Sequence, residues 1–257
     1  VQERSNTRQA ESPHLYDYPQ APFTKDWMDR LEDISRPLVV DIGCGFGTSL
    51  LGLASLTEPT IFGGNTEVDF RKCNFIGGDL SQLATRFGQG ISNRWGLDKQ
   101  LQFSYIPAES LLQQIEQSYP GPIAMVLIQF PSPYRLNDEG NSQLPSGRSN
   151  DSGFMVTTSL MGQVRNLLSN SPNNGLLLIQ SNCEDVAVTI RDVGLECGMQ
   201  VIPAVCPALL ENSQEHHPSQ RTLRWIELGG DRAFGPEWSK EPLLPSGCRT
   251  ETEVSCE

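Results

Sequence analysis

Short apolar runs alternate with helical patterns along most of this chain. Leu38-Val39-Val40-Asp41-Ile42 is apolar up to a glycine loop and predicts a buried strand. Residues 73–80, 101–106, 123–130 and 175–181 repeat that signature and predict four more strands. Between them, residues 48–56, 81–95, 110–117, 154–168 and 184–197 carry helical spacing. The last of these opens on Glu184 and Asp185, as a helix N-terminus favours. Residues 57–72 and the polar stretch 137–153 read as loops, and residues 221–228 as a further strand. This alternation predicts an α/β fold, a doubly wound, mostly parallel sheet in three α/β/α layers with right-handed crossovers. Residues 1–36 read as an arm, polar and disordered at first, then ordered by Tyr16, Tyr18, Phe23 and Trp27. Residues 37–240 form the main domain and 241–257 an acidic tail.

Charge and cysteines narrow the class. The chain has 257 residues and a formal net charge of -12. Such an acidic surface argues against a broad nucleic-acid footprint but leaves room for a local basic groove. Arg71, Lys72, Arg86, Arg94 and Arg135 are the local cations to consider. Seven cysteines occur with no Cys-x-x-Cys pair, which fits reduced, packed thiols and no zinc site. His14, His216 and His217 form no catalytic set, so Ser132 has no visible base to activate it as a nucleophile. Trp95, Phe103 and Trp225 read as core residues. No run approaches a membrane span. The chain opens on Val1, so a trimmed start is expected, and an organelle stays open beside a cytoplasmic or nuclear location.

The chemistry sits at Gly43-Cys44-Gly45-Phe46-Gly47, which follows the first strand and opens the first helix of the domain. Glycines there let the backbone approach a ligand closely. The spacing differs from the dinucleotide fingerprint, and Asp41 stands just before the first glycine. A carboxylate in that place suits a cationic ligand better than a phosphate. S-adenosylmethionine carries an ammonium and a sulfonium, and Asp79 at the end of the second strand can accept ribose hydroxyls. A nicotinamide or flavin enzyme is the weaker alternative on the same loop.

Several motifs in one order resemble the tRNA (guanine-N7-)-methyltransferases over about residues 14–240. Tyr18-Pro19, Pro22 and Asp26-Trp27 are similar to the family's lead-in. Residues 40–47 resemble its cofactor loop and residues 74–79 its second strand. Phe130-Pro131-Ser132-Pro133-Tyr134 resembles its phenylalanine-proline-aspartate-proline-tryptophan motif. Ser181-Asn182-x-Glu184 resembles its threonine-aspartate-x-glutamate, and Arg221-Thr222 through Gly235 to Trp238 its closing segment. The resemblance implies a methyltransferase using S-adenosylmethionine and acting on tRNA. It implies cofactor contacts at Asp41, Gly43, Cys44, Gly45, Gly47, Asp79, Leu80, Pro107, Ala108 and Gln129. It implies substrate contacts at Pro131, Ser132, Arg135, Ser181, Asn182 and Glu184, with Ser132, Tyr134 and Asn182 at the reacting base.

The chain departs from the family where guanine and tRNA bind. Ser132 and Asn182 stand where the family has aspartates, Leu136 replaces a lysine, and Arg148 is the only cation in residues 137–153. A cationic partner of WD-repeat type, as some eukaryotic members use, would compensate. The Pro131–Tyr134 stretch is also similar to the Asn-Pro-Pro-Tyr loop of methyltransferases acting on the amino groups of adenine or glutamine, with serine in place of the first proline. An inactive, cofactor-binding scaffold is the non-enzymatic alternative.

Overall fold

A computed structural model of the chain describes residues 27–62, 66–131, 135–136, 142–143, 154–171, 175–203, 223, 226–227, 229–239 and 242–256. Five parallel strands form its sheet: β1 (Leu38–Ile42), β4 (Asn74–Asp79), β5 (Leu101–Tyr105), β6 (Ile123–Gln129) and β9 (Leu176–Gln180). Their spatial order is β5-β4-β1-β6-β9. The chain therefore builds outward from β1 through β4 to β5, then returns to β6 on the other side of β1. That reversal opens a crevice at the carboxyl ends of β1 and β6, where ligands bind in doubly wound sheets. Asp41 pairs with Gly77 on one neighbour and with Leu127 on the other.

Alternate residues of the central strands feed two separate cores. Val40 and Ile42 face α4 (Ala108–Ser118), α5 (Thr158–Ser169) and α6 (Glu184–Glu196), where Leu112, Leu160, Val164 and Ile190 are buried. Val39, Phe75, Phe103 and Leu127 face the opposite side. There α2 (Thr48–Ala54) contributes Leu50 and Leu53, and α3 (Gln82–Arg94) packs beside it. The rest of that face is covered by the C-terminal segment, through buried Leu244 and Cys248. Trp27 of α1 (Trp27–Arg30) packs edge-on against Tyr119, 5.1 Å between ring centroids, and so ties the arm to α4.

Several expectations change. Residues 57–72 contain a hairpin, β2 (Thr60–Phe62) antiparallel to β3 (Thr66–Val68), and a single 3-10 turn at Phe70–Lys72. The helix expected from residue 154 starts later, because Thr157 caps it by accepting the Leu160 amide. Phe154 and Val156 precede it as buried residues outside the helix. Inside the polar stretch, β8 (Ser142–Gln143) pairs with β7 (Arg135–Leu136). Leu223, Ile226 and Glu227 are helical, not extended. Trp95, read as core, is 58% exposed. The arm to Asp26, His14, His216, His217, Arg221, Thr222 and Trp225 lie outside the described residues.

Candidate functional site

The glycine loop turns back over the carboxyl end of β1. Gly43, Gly45 and Gly47 have φ of 75°, 54° and 76°. That left-handed region strains any side chain. Gly47 is also the N-cap of α2, and a Cβ there would overlap the Phe103 ring of β5. The loop amides are all engaged. Gly43 and Cys44 donate to the Gly78 carbonyl, and Gly47 to that of Cys44. Gly45 donates to Asp79 Oδ2 at 2.9 Å, and Phe46 to Glu251 Oε1 at 2.9 Å. Asp79 Oδ1 accepts the Ser81 amide at 2.7 Å. Asp79 therefore braces the loop with one oxygen and starts the turn into α3 with the other. A carboxylate has about four lone-pair positions, so room remains for a ligand hydroxyl.

Asp41 lies beneath the loop, only 1% exposed. Gln129 Nε2 reaches its Oδ2 at 3.3 Å and Ser49 Oγ at 3.1 Å. Asp41 Oδ1 and Gln129 Oε1 are buried with no hydrogen-bond partner. Burial pushes the Asp41 carboxyl up to about 7; the Gln129 bond opposes this, and the charges of Glu251 and Asp79 add to it. Three carboxylates thus converge here, one with an oxygen left orphaned in a dry place. An orphaned buried acceptor is costly, and a cation or N–H donor removes the cost. The site therefore fits a cationic ligand and disfavours a phosphate. Burial also pushes the Cys44 thiol well up, so Cys44 is a packed, protonated thiol.

Glu251 went unread in the sequence because residues 241–257 looked like a tail. The chain there folds onto α2. Gly52 leaves room for the backbone of Gly247 and Cys248, and Thr48 Oγ1 donates to the Arg249 carbonyl at 3.1 Å. The final helix, α7 (Glu251–Cys256), begins in a capping box. Thr250 donates its amide to Glu253 Oε2 at 2.7 Å, and Glu253 donates its amide to Thr250 Oγ1 at 3.2 Å. The other Glu253 oxygen accepts from Gln180 Nε2 at 2.7 Å, which ties α7 to the end of β9. The Thr-x-x-Glu spacing at 250–253 was the available signal, hidden by the lack of any apolar run after it.

The remaining expected residues divide. Gln129 belongs to the buried cluster, and Leu80 lies exposed beside Asp79. Pro107 caps α4, and Ala108 packs partly buried on the core below it. Pro131 is buried. Ser132, Tyr134, Arg148 and the Arg135 side chain lie outside the described residues. Ser181 Oγ accepts the Cys183 amide at 3.1 Å, and Asn182 is exposed beside it. Glu184 is committed to structure, accepting from Arg232 Nε at 2.6 Å and from the Ala233 amide at 2.7 Å. Trp238 lies under Arg191, 5.5 Å from guanidinium carbon to ring centroid. Arg71 and Lys72 are paired with Asp69 at 2.7 and 2.9 Å, which leaves Arg86 and Arg94 as exposed cations on α3. No group of metal-ligating side chains occurs among the described residues.

Known proteins were compared with this chain. No family model matches it. A tRNA (guanine-N(7)-)-methyltransferase of Synechocystis sp. is 26% identical over 209 residues, covering 81% of this chain and 86% of that protein. A protein of the same name from Microcystis aeruginosa is 32% identical over 125 residues, and the chain spans 50% of its length. Among solved structures, PKMT2 of Rickettsia typhi in complex with AdoHcy aligns over 57% of this chain and 21% of that one, at 17% identity and a TM-score of 0.35.

Proposed function

We propose that this chain, a divergent relative of the tRNA (guanine-N7-)-methyltransferases, transfers a methyl group from S-adenosylmethionine to N7 of a guanine in tRNA. The observation that carries the reading is the buried, unpartnered Asp41 oxygen beneath a three-glycine loop at the sheet's switch point. The two tRNA (guanine-N(7)-)-methyltransferases it resembles support the choice of substrate.

S-adenosylmethionine supplies an electrophilic methyl group on a sulfonium. On this reading the glycine loop lets it approach the backbone, Asp79 takes the ribose hydroxyls, and Asp41, positioned by Gln129, sets a field that favours its positive charge. Leu80, Pro107 and Ala108 would border the adenine. Guanine N7 presents a lone pair and no proton, so no general base is required. The protein's task is to exclude water and align the two reactants, which is worth several kcal/mol of barrier. Pro131, Ser132, Tyr134, Ser181 and Asn182 are assigned to the guanine. Ser132 and Asn182 accept hydrogen bonds without charge, and losing charge assistance costs roughly 1–3 kcal/mol per bond. The reaction is accordingly expected to run slower than in relatives that keep both acids.

Two finer assignments belong to the same proposal. A cationic partner subunit of WD-repeat type would offset the -12 charge of this chain toward tRNA. The substrate would place the protein wherever tRNA is processed inside the cell. Among the described residues no helix is long and apolar enough to cross a membrane. The test is transfer of labelled methyl from S-adenosylmethionine to bulk tRNA, with and without cell extract, and mapping of the product by mass spectrometry. N7-methylguanosine at one tRNA position supports the proposal. Cofactor binding with no methylated RNA, or methylation of an exocyclic amino group, overturns the substrate assignment.

A further inference from the structure

Helix α3 is built inside out. The fully buried residues of its inward face are all small, Ala84, Thr85, Gly88 and Ser92, with Ile91 packed partly buried beside them. Two of its large apolar residues point the other way: Leu83 is 75% exposed and Phe87 52%. A surface helix normally buries such side chains, and an exposed stripe of them marks a contact surface. Leu83, Phe87, Gly90 and Arg94 follow one another at helical spacing, with Arg86 beside them, so all five share the outer face. The helix holds two arginines and no acid, in a chain with 31 acidic against 19 basic residues.

We infer that this face of α3 is the docking surface for the RNA substrate. The inference rests on the tRNA reading above and adds the surface that binds it. Exposed rings and guanidinium planes stack on bases, and arginines take phosphates. Arg86 and Arg94 stand about 12 Å apart along the helix axis, with Phe87 near one and the bare Gly90 surface between them. Nothing lies within 4 Å of where a Cβ on Gly90 would be, so a flat base or sugar can settle there. The stripe also leads to the cofactor. Phe87 meets Phe46 of the glycine loop edge-on, 5.3 Å between ring centroids. A purely apolar protein partner would account for Leu83 and Phe87, but not for the cations beside them on a helix without acids. Arg71 and Lys72 are weaker candidates for this role, because both are paired to Asp69, which offsets one of their two charges.

The experiment compares wild type with the double variant Arg86→Gln/Arg94→Gln and with Phe87→Ala, using bulk tRNA as probe. Binding is followed by fluorescence anisotropy across a salt series, and S-adenosylmethionine affinity by calorimetry. The double variant should bind tRNA about tenfold more weakly and lower the salt slope by one to two. Phe87→Ala should weaken binding about fivefold or more, the scale of one lost base stack. Cofactor affinity of the arginine variant should be unchanged, and the loss in turnover should appear in KM for tRNA with kcat kept. Wild type that binds tRNA while the double variant binds equally well overturns this inference alone. So does weakening by Phe87→Ala with no effect of the arginines, which would show that the arginines take no phosphates. Wild type that binds no tRNA overturns both this inference and the substrate reading beneath it.

Discussion

Replacing Asp41 with asparagine should stabilise the ligand-free protein at alkaline pH and weaken its hold on the cofactor. Burial raises the Asp41 carboxyl to about 7, against an ordinary value near 3.9. The native state therefore holds a proton that the unfolded chain releases between those two values. Its stabilising contribution is complete below the unfolded pKa and is lost as pH rises through the folded one. A gap of about three units corresponds to at most ~4 kcal/mol, reached above about pH 8. Asparagine removes the titration, keeps the shape, and keeps an oxygen to accept from Gln129 Nε2. Urea unfolding at pH 5, 6, 7 and 8 reads the effect. Wild type should lose stability toward pH 8, while Asp41→Asn should lose markedly less, so the two curves diverge by a few kcal/mol. Binding has the opposite sign. A cation favours the ionised carboxylate, so wild-type affinity for S-adenosylmethionine should rise as pH passes 7, and the variant should bind at least tenfold more weakly with no such rise. Parallel stability curves from pH 5 to 8 would refute the reasoning.

Three further substitutions probe the same corner. Asp79→Ala removes both the brace on the Gly45 amide and the ribose acceptor, and should weaken cofactor affinity at least tenfold in calorimetry; unchanged affinity would sink the ribose assignment. Gly47→Ala forces a side chain into a left-handed residue and against Phe103, so about 1–3 kcal/mol of stability should be lost in thermal melts together with cofactor binding. Glu253→Ala breaks the capping box and the tie to Gln180, and should cost about 1–2 kcal/mol in urea unfolding; no loss would mean α7 is held by Leu244 and Cys248 alone.

The centre of the sheet was legible because β1 and β6 are buried on both faces and read as nearly unbroken apolar runs. All five residues of β1 are buried, and the run 123–130 carries the whole of β6. The glycine loop and Asp79 were legible for the same reason, since each lies at the end of such a run. The hairpin at 60–68 was not, because three-residue strands give too little alternation to detect. Trp95 misled because burial follows from where a helix faces, and Trp95, at the C-cap of α3, lies exposed as Leu83 and Phe87 do. Glu251 was invisible because its place in the site comes from a contact spanning 205 residues of chain. Its position depends on Gly52, Cys248 and Thr250, none of which marks a ligand site by itself.

The acidic balance of the chain and an RNA substrate are compatible because charge is segregated by element. Asp41, Asp79 and Glu251 gather at the carboxyl ends of β1 and β4, from three distant parts of the sequence, and the charges of Asp79 and Glu251 add to the cost of ionising buried Asp41. A cationic cofactor lowers that cost, so the cluster selects its ligand by the same repulsion that burdens the empty fold. Across Phe46 and Phe87 the sign reverses, and the charged residues of α3 are both arginines. A negative pocket and a positive helix set side by side draw two ligands of opposite charge to one edge of the sheet. Asp69 offsets one of the two charges of Arg71 and Lys72, whereas α3, which touches the glycine loop through Phe87 and Phe46, carries two arginines and no acid.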